Sequence, residues 1–168
     1  MADQIGRTTY TQLQASGDAF FPPGLHYYYK SHFMTEIGDE AIEALVSHFA
    51  TVPSPRSVVA LQQYGGAVSR VGQDDTAFGH RAVQYNLIPA SAWTDPTESE
   101  QHLHWAREAW DILRPFATGG VYVNNLAEED EEQIWAAYGP HYERLVAVKS
   151  TYDPTNFFRL NANIKPTG

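Results

Sequence analysis

No cysteine occurs among the 168 residues. That absence excludes a disulfide scaffold, a thiolate zinc site, an iron–sulfur cluster and a cysteine nucleophile. Basic residues are also scarce, with 11 Lys and Arg against 20 Asp and Glu and a formal charge of −9. An acidic chain of pI about 5.1 lacks the clustered positive face that nucleic acid requires. No apolar run approaches the ~20 residues of a membrane span. Met1 to Leu13 is polar, with neither a basic n-region nor an apolar h-region, so no signal peptide is visible and a cytoplasmic location is expected. Aromatic side chains, by contrast, are plentiful: ten Tyr, eight Phe and four Trp. With 43% hydrophobic and 18% charged residues, the composition is that of one globular domain or a piece of a larger one.

Local patterning predicts an α+β fold, a mostly antiparallel β-sheet covered by α-helices. Leu25 to Met34 reads as an aromatic-rich strand. Its alternation sends Leu25, Tyr27, Tyr29 and Phe33 to one side, and Tyr28, Lys30 and His32 to the other. A helix follows from Asp39, with Ile42, Leu45, Val46 and Phe49 at helical spacing. Ser57–Tyr64 and Ala67–Val71 flank Gly65-Gly66 as the two arms of a tight hairpin. His80 to Trp93 reads as a long strand in which Pro89 marks a bulge or an edge. Thr97 and Glu100 form a capping box for a second helix carrying Leu103, Ala106, Trp110 and Leu113 on one stripe. A short strand, Val121 to Leu126, comes after Gly119-Gly120. The acidic run Glu128–Glu132 opens a third helix, and Gly139-Pro140 starts a fourth that Asp153-Pro154 ends.

Most familiar catalytic patterns are missing. Seven histidines are present, but none stands in a His-Glu-x-x-His spacing, and no metal site is expected. There is no Gly-x-Ser-x-Gly elbow, no Gly-x-Gly-x-x-Gly and no P-loop, so a serine hydrolase and a phosphate cradle within this chain are not indicated.

The last fifty residues are the most specific. Gly119-Gly120-Val121-Tyr122-Val123-Asn124-Asn125 is followed by Tyr138-Gly139-Pro140-His141-Tyr142-Glu143-Arg144-Leu145. Lys149, Tyr152-Asp153-Pro154-Thr155-Asn156-Phe157-Phe158-Arg159 and Asn161-Ala162-Asn163-Ile164 complete the series. This order resembles the C-terminal berberine-bridge segment of the FAD-linked oxidases, the vanillyl-alcohol-oxidase-like flavoproteins. Upstream, Lys30-Ser31, Tyr64-Gly65-Gly66-Ala67, Phe78-Gly79-His80-Arg81 and Tyr85 through Trp93 resemble that family's substrate-domain strands.

The resemblance implies a partial substrate-binding domain over 1–118 and a berberine-like segment over 119–168 that returns toward a flavin. The N-terminal FAD-binding domain is not in the chain, which on this reading begins inside the substrate domain. FAD is the implied cofactor. The implied partners are an FAD-binding domain in cis or trans and a small-molecule substrate, with no nucleic acid and no membrane. Tyr122 and Asn124 are the implied flavin contacts; Gln62, Tyr85, Asn86 and Asn125 the implied substrate contacts. Asn125 stands where sugar-oxidising members carry the catalytic tyrosine, and an amide does not ionise, so no catalytic base is assigned. Ile88 makes the substrate strand less polar, and Ala162 replaces a frequent glutamine. The implied activity is oxidation of a small organic substrate by hydride transfer to flavin. A stand-alone small-molecule-binding module and a catalytically inert relic of the family remain as alternatives.

Overall fold

A computed structural model describes residues 6–126 and 131–167. Four strands form one antiparallel sheet: β1 (His26–Tyr29), β2 (His32–Met34), β3 (Val58–Gln63) and β4 (Tyr85–Trp93). β4 is central. On one side it pairs with β3, from Val58↔Ala90 to Gln63↔Tyr85. On the other it pairs first with β1, His26↔Trp93 to Tyr29↔Ala90, and then with β2, His32↔Leu87 to Met34↔Tyr85. The expected Leu25–Met34 strand is thus present but interrupted at Lys30 and Ser31, with no change of register. Pro89 is the cause: Lys30 N–H donates to its carbonyl at 3.3 Å, and proline has no N–H to return. The residue read as a sign of a bulge or an edge lies in the middle strand, where it divides the neighbour instead.

Among the described residues the helices are α1 (Tyr10–Ala15), α2 (Asp39–Phe49), α3 (Ser99–Leu113), α4 (Glu131–Tyr138) and α5 (Tyr142–Tyr152). The α+β expectation is borne out, with helices covering one face of the sheet. α3 supplies most of that cover, burying His102, Trp105, Ala106, Ala109 and Leu113. Trp93 stacks on His102 with ring centroids 4.9 Å apart, and Tyr28 receives a hydrogen bond from Arg107 Nε at 3.3 Å. Met34, Ala41, Leu87 and Leu113 form a second cluster under α2. The inward face of α2 carries Ala41 and Leu45, whereas Ile42, Val46 and Phe49 of the expected stripe are exposed.

Several local expectations differ from the structure. Ala67–Val71 is no hairpin arm: Val68–Arg70 makes a 3₁₀ turn closed by Arg70 N–H to the Ala67 carbonyl, 3.3 Å, and Ser69 Oγ to the Gly66 carbonyl, 3.0 Å. β3 takes β4 as its partner, a longer ladder than the short arm offered. Residues 80–84 precede β4 outside the strand, and Val123–Asn125 is a 3₁₀ turn in place of a strand. At the start of α3 the cap is not Thr97 with Glu100; Asp95 accepts from Thr97 N–H at 2.8 Å and caps a preceding 3₁₀ turn. Of the acidic run, Glu128, Glu129 and Asp130 lie outside the described residues. Among the described residues, no helix is long and apolar enough to cross a membrane.

The Asp153-Pro154-Thr155-Asn156 turn after α5 is organised by one carboxylate. Asp153 pairs with Lys149 and accepts the N–H groups of Phe157 at 2.7 Å and Phe158 at 3.0 Å, while Asn156 takes a left-handed φ of 53°. The Lys149 ammonium, and then the two N–H donors, hold the Asp153 carboxyl below its ordinary value of 3.8. A depressed folded-state value means stability that is present above pH 3.8 and is lost as pH falls through the lower folded value. Melting curves taken from about pH 5 down to about pH 2.5 should therefore show an acid loss that Asp153→Asn diminishes. An acid limb of unchanged steepness in the variant would remove Asp153 from that role.

Candidate functional site

Side-chain alternation gives the sheet two unlike faces. Odd-numbered residues of β4 meet the helices; even-numbered residues share the opposite face with Gln62 and Phe33, the cross-strand neighbours of Asn86. At this end the helix-free face becomes polar and aromatic. Asn86 is fully buried and donates from Nδ2 to Gln62 Oε1 at 3.0 Å. Its Oδ1 is also buried and has no partner. An orphan acceptor of that kind costs about 1–3 kcal/mol, so the position is expensive unless a donor arrives from outside.

Tyr64, two residues beyond Gln62, stands on the same face. Its ring lies 5.4 Å from Phe33, 6.1 Å from Phe78 and 6.3 Å from Tyr122. Burial, followed by the neighbouring Tyr122 phenol, raises the Tyr64 phenol above its ordinary value; a hydrogen bond from Asn86 opposes the rise. Asn124 donates from Nδ2 to the Tyr122 hydroxyl at 2.9 Å. Gln84 belongs here as well, its Oε1 standing 3.0 Å from where a Cβ on Gly65 would be. The site therefore joins amides from β3 and β4 to a Tyr–Asn pair from the C-terminal segment.

His80 brings that segment in. Its Nε2–H donates to the carbonyls of Ala136 and Ala137 in the last turn of α4, each at 3.0 Å. Its ring packs on Phe33 at 4.9 Å. Gly120 crosses directly over the imidazole: a Cβ there would lie 2.5 Å from Cε1, so no larger residue passes without moving His80. The backbone of the same crossing bonds the edge of β2, with Thr118 N–H to the Phe33 carbonyl at 2.8 Å and Phe33 N–H to the Gly120 carbonyl at 3.3 Å.

Of the residues singled out from the sequence, Gln62 and Asn86 touch, and Tyr122 and Asn124 reach them through Tyr64. Tyr85 does not join them. As an odd-numbered residue it packs against the Met34–Leu113 cluster on the helix face. Asn125 also points elsewhere, lining a cavity of about 550 Å³ between the β2 edge, the end of α3 and the start of α4. Tyr64, Gln84, Phe78 and His80 were missed as site residues, although period-two spacing from Gln62 was enough to place Tyr64. Among the described residues, no group of three or more His, Asp and Glu could hold a metal ion.

Residues 121–165 match the family model described as berberine and berberine like. Along 99% of its length the chain is 31% identical to an FAD-linked oxidoreductase of Dictyostelium discoideum, covering 36% of that protein. It is 34% identical over 77% of its length to an FAD-linked oxidoreductase of Bacillus subtilis, covering 29% of that protein. The chain is related to the berberine bridge enzyme-like FAD-linked oxidoreductases. Berberine bridge enzyme from Eschscholzia californica shares the fold, with a TM-score of 0.76 at 22% identity over 85% of this chain and 33% of that one. The chain thus spans about a third of the length of the berberine bridge-type relatives it matches.

Two outcomes test the geometry. Gly120→Ala should lower stability by about 1–3 kcal/mol through the clash with His80, and the loss should shrink toward zero in a His80→Ala background. An equal loss in both backgrounds, measured by urea unfolding, would separate the two residues. In an ultraviolet pH titration, Tyr64→Phe should remove one late-ionising tyrosine. Because the raised value favours the neutral phenol in the folded state, Tyr64 contributes stability that is lost above pH 10.

Proposed function

We propose that this chain is the substrate-side part of an FAD-dependent oxidoreductase that oxidises a small organic substrate. On this reading residues 1–118 form part of the substrate-binding domain, and 119–168 carry the berberine-like segment back toward the flavin. The carrying observation is the buried, unpartnered Asn86 Oδ1, set among Gln62, Tyr64 and Tyr122 on the helix-free face. An amide-rich, aromatic-walled surface fits the edge of a heteroaromatic ring bearing both N–H donors and carbonyl acceptors. Tyr122 and Asn124 would hold such a ring from the C-terminal side, Gln62 and Asn86 from the sheet. FAD, when bound, supplies the two-electron acceptor for hydride removal.

The chain's own residues orient and exclude water. Tyr64 stays a neutral phenol at pH 7, so it can donate a hydrogen bond to a substrate oxygen. Asn125 offers an amide and no proton-accepting phenolate. The proton that leaves with the hydride must pass to a group outside Asn125. A flavin-binding part would come from the same or a second chain. Exposed Phe157, Phe158 and Leu160 on the C-terminal segment support a covered surface there.

The test is the visible spectrum of the protein purified from its own source through a C-terminal tag, with no flavin added. Oxidised-flavin absorption is expected, together with a flavin-reduction rate that Asn86→Ala lowers about tenfold or more. A colourless protein would overturn the reading.

A further inference from the structure

The cavity between β2, α3 and α4 has a different chemistry from the sheet face. In a chain of net charge −9, two cations converge at its mouth. Lys30 Nζ lies 4.4 Å from the Trp110 ring and Arg114 Cζ lies 5.9 Å from it. Two carboxylates stand near them: Glu132 lines the cavity, and Asp111 Oδ1 lies 3.9 Å from Arg114 Nη1 on the exposed side. The indole is held in place: its Nε1–H donates to the Ser31 carbonyl at 3.3 Å, and His32 stacks on it at 4.7 Å while donating to the Trp110 carbonyl at 2.9 Å. Burial, opposed by that hydrogen bond, lowers the His32 imidazole; Lys30 and Arg114 lower it further and Asp111 raises it.

Two polar groups in the wall lack partners. Ser31 Oγ and Asn125 Nδ2 are both buried without a hydrogen bond. Both can donate, and each is costly to leave unmatched. Val121, Leu126 and Ala136 supply an apolar stretch of wall, beside the polar Thr118 and Gln133. A volume of about 550 Å³ suits a small organic molecule.

We propose that this cavity binds a small organic acid, its carboxylate held between Lys30 and Arg114 with Ser31 and Asn125 donating, and its apolar body against Val121 and Leu126. The site lies apart from the Gln62–Tyr64–Asn86 cluster and does not rest on the flavin reading, since binding alone reports it.

Benzoate is the probe, titrated into the ¹⁵N-labelled full chain while the four tryptophan indole signals are followed. The Trp110 indole N–H should shift in a saturable way. Benzamide, of the same shape without charge, and inorganic phosphate, charged without a ring, should each bind at least about tenfold more weakly. Lys30→Met with Arg114→Met should also weaken benzoate at least about tenfold. Because Lys30 packs more closely on Trp110, Arg114→Glu at an exposed side chain serves as a second variant, its fold checked by the unmoved signals of the other three indoles, with at least about fivefold weakening expected. Equal binding of benzamide would make the cavity merely apolar, and equal binding of phosphate would make it a bare anion site. Either result overturns the proposal, as does an unmoved Trp110 signal or unchanged affinity in Arg114→Glu.

Discussion

The hydrogen-bonded ladder along β4 is the constraint on which the rest of the molecule depends. Among the described residues every other strand pairs with it, and none of those others pairs with another. Its alternation decides the fate of each neighbouring side chain: odd positions build the core beneath α2 and α3, even positions the polar face. Shifting β4 by one residue would exchange the two sets entirely. The one flaw in the ladder, Pro89, is tolerated because its missing N–H faces β1 and β2, where a short irregular step at Lys30 and Ser31 absorbs it. That step also places Lys30 and Ser31 in the wall of the α3–α4 cavity.

Histidine does the fastening. His32, His48, His80 and His141 each donate Nε2–H to a distant backbone carbonyl, those of Trp110, Trp105, Ala136 and Ala137, and Gln73 respectively. Each bond crosses between elements far apart in sequence. Four of the seven histidines are thus committed to holding layers together. His80 and His141 attach the C-terminal segment to residues 72–80, and so keep Tyr122 beside Tyr64.

Much of this was legible in the sequence, for reasons that differ element by element. β3 and β4 were readable as extended runs between clear breakers, Gly65-Gly66 and the polar turn at 72–75 among them, and the period of two then put Asn86 and Ile88 of β4 on one face. Gly65-Gly66 misled because a glycine pair specifies a turn but not the partner of the strand before it; the chain beyond closed on itself and left β3 to β4. Tyr85 was misplaced because a phenol suits a ligand site and an aromatic core equally, and only register separates the two. The α2 stripe was half right. Its 3.6-residue period was real, but the period alone cannot say which of two adjoining apolar arcs meets the sheet. The C-terminal motifs were specific in order, yet their order does not show that Asp153 is a turn-former and Asn125 a cavity residue.

β3 has a further property. Its outer side has no ladder partner among the described residues, and Val58 and Leu61 on it are exposed. It has neither the lysine nor the proline that usually blunts such a margin. A strand of this kind is an adhesive rim, able to zip onto any extended chain that comes alongside in antiparallel fashion.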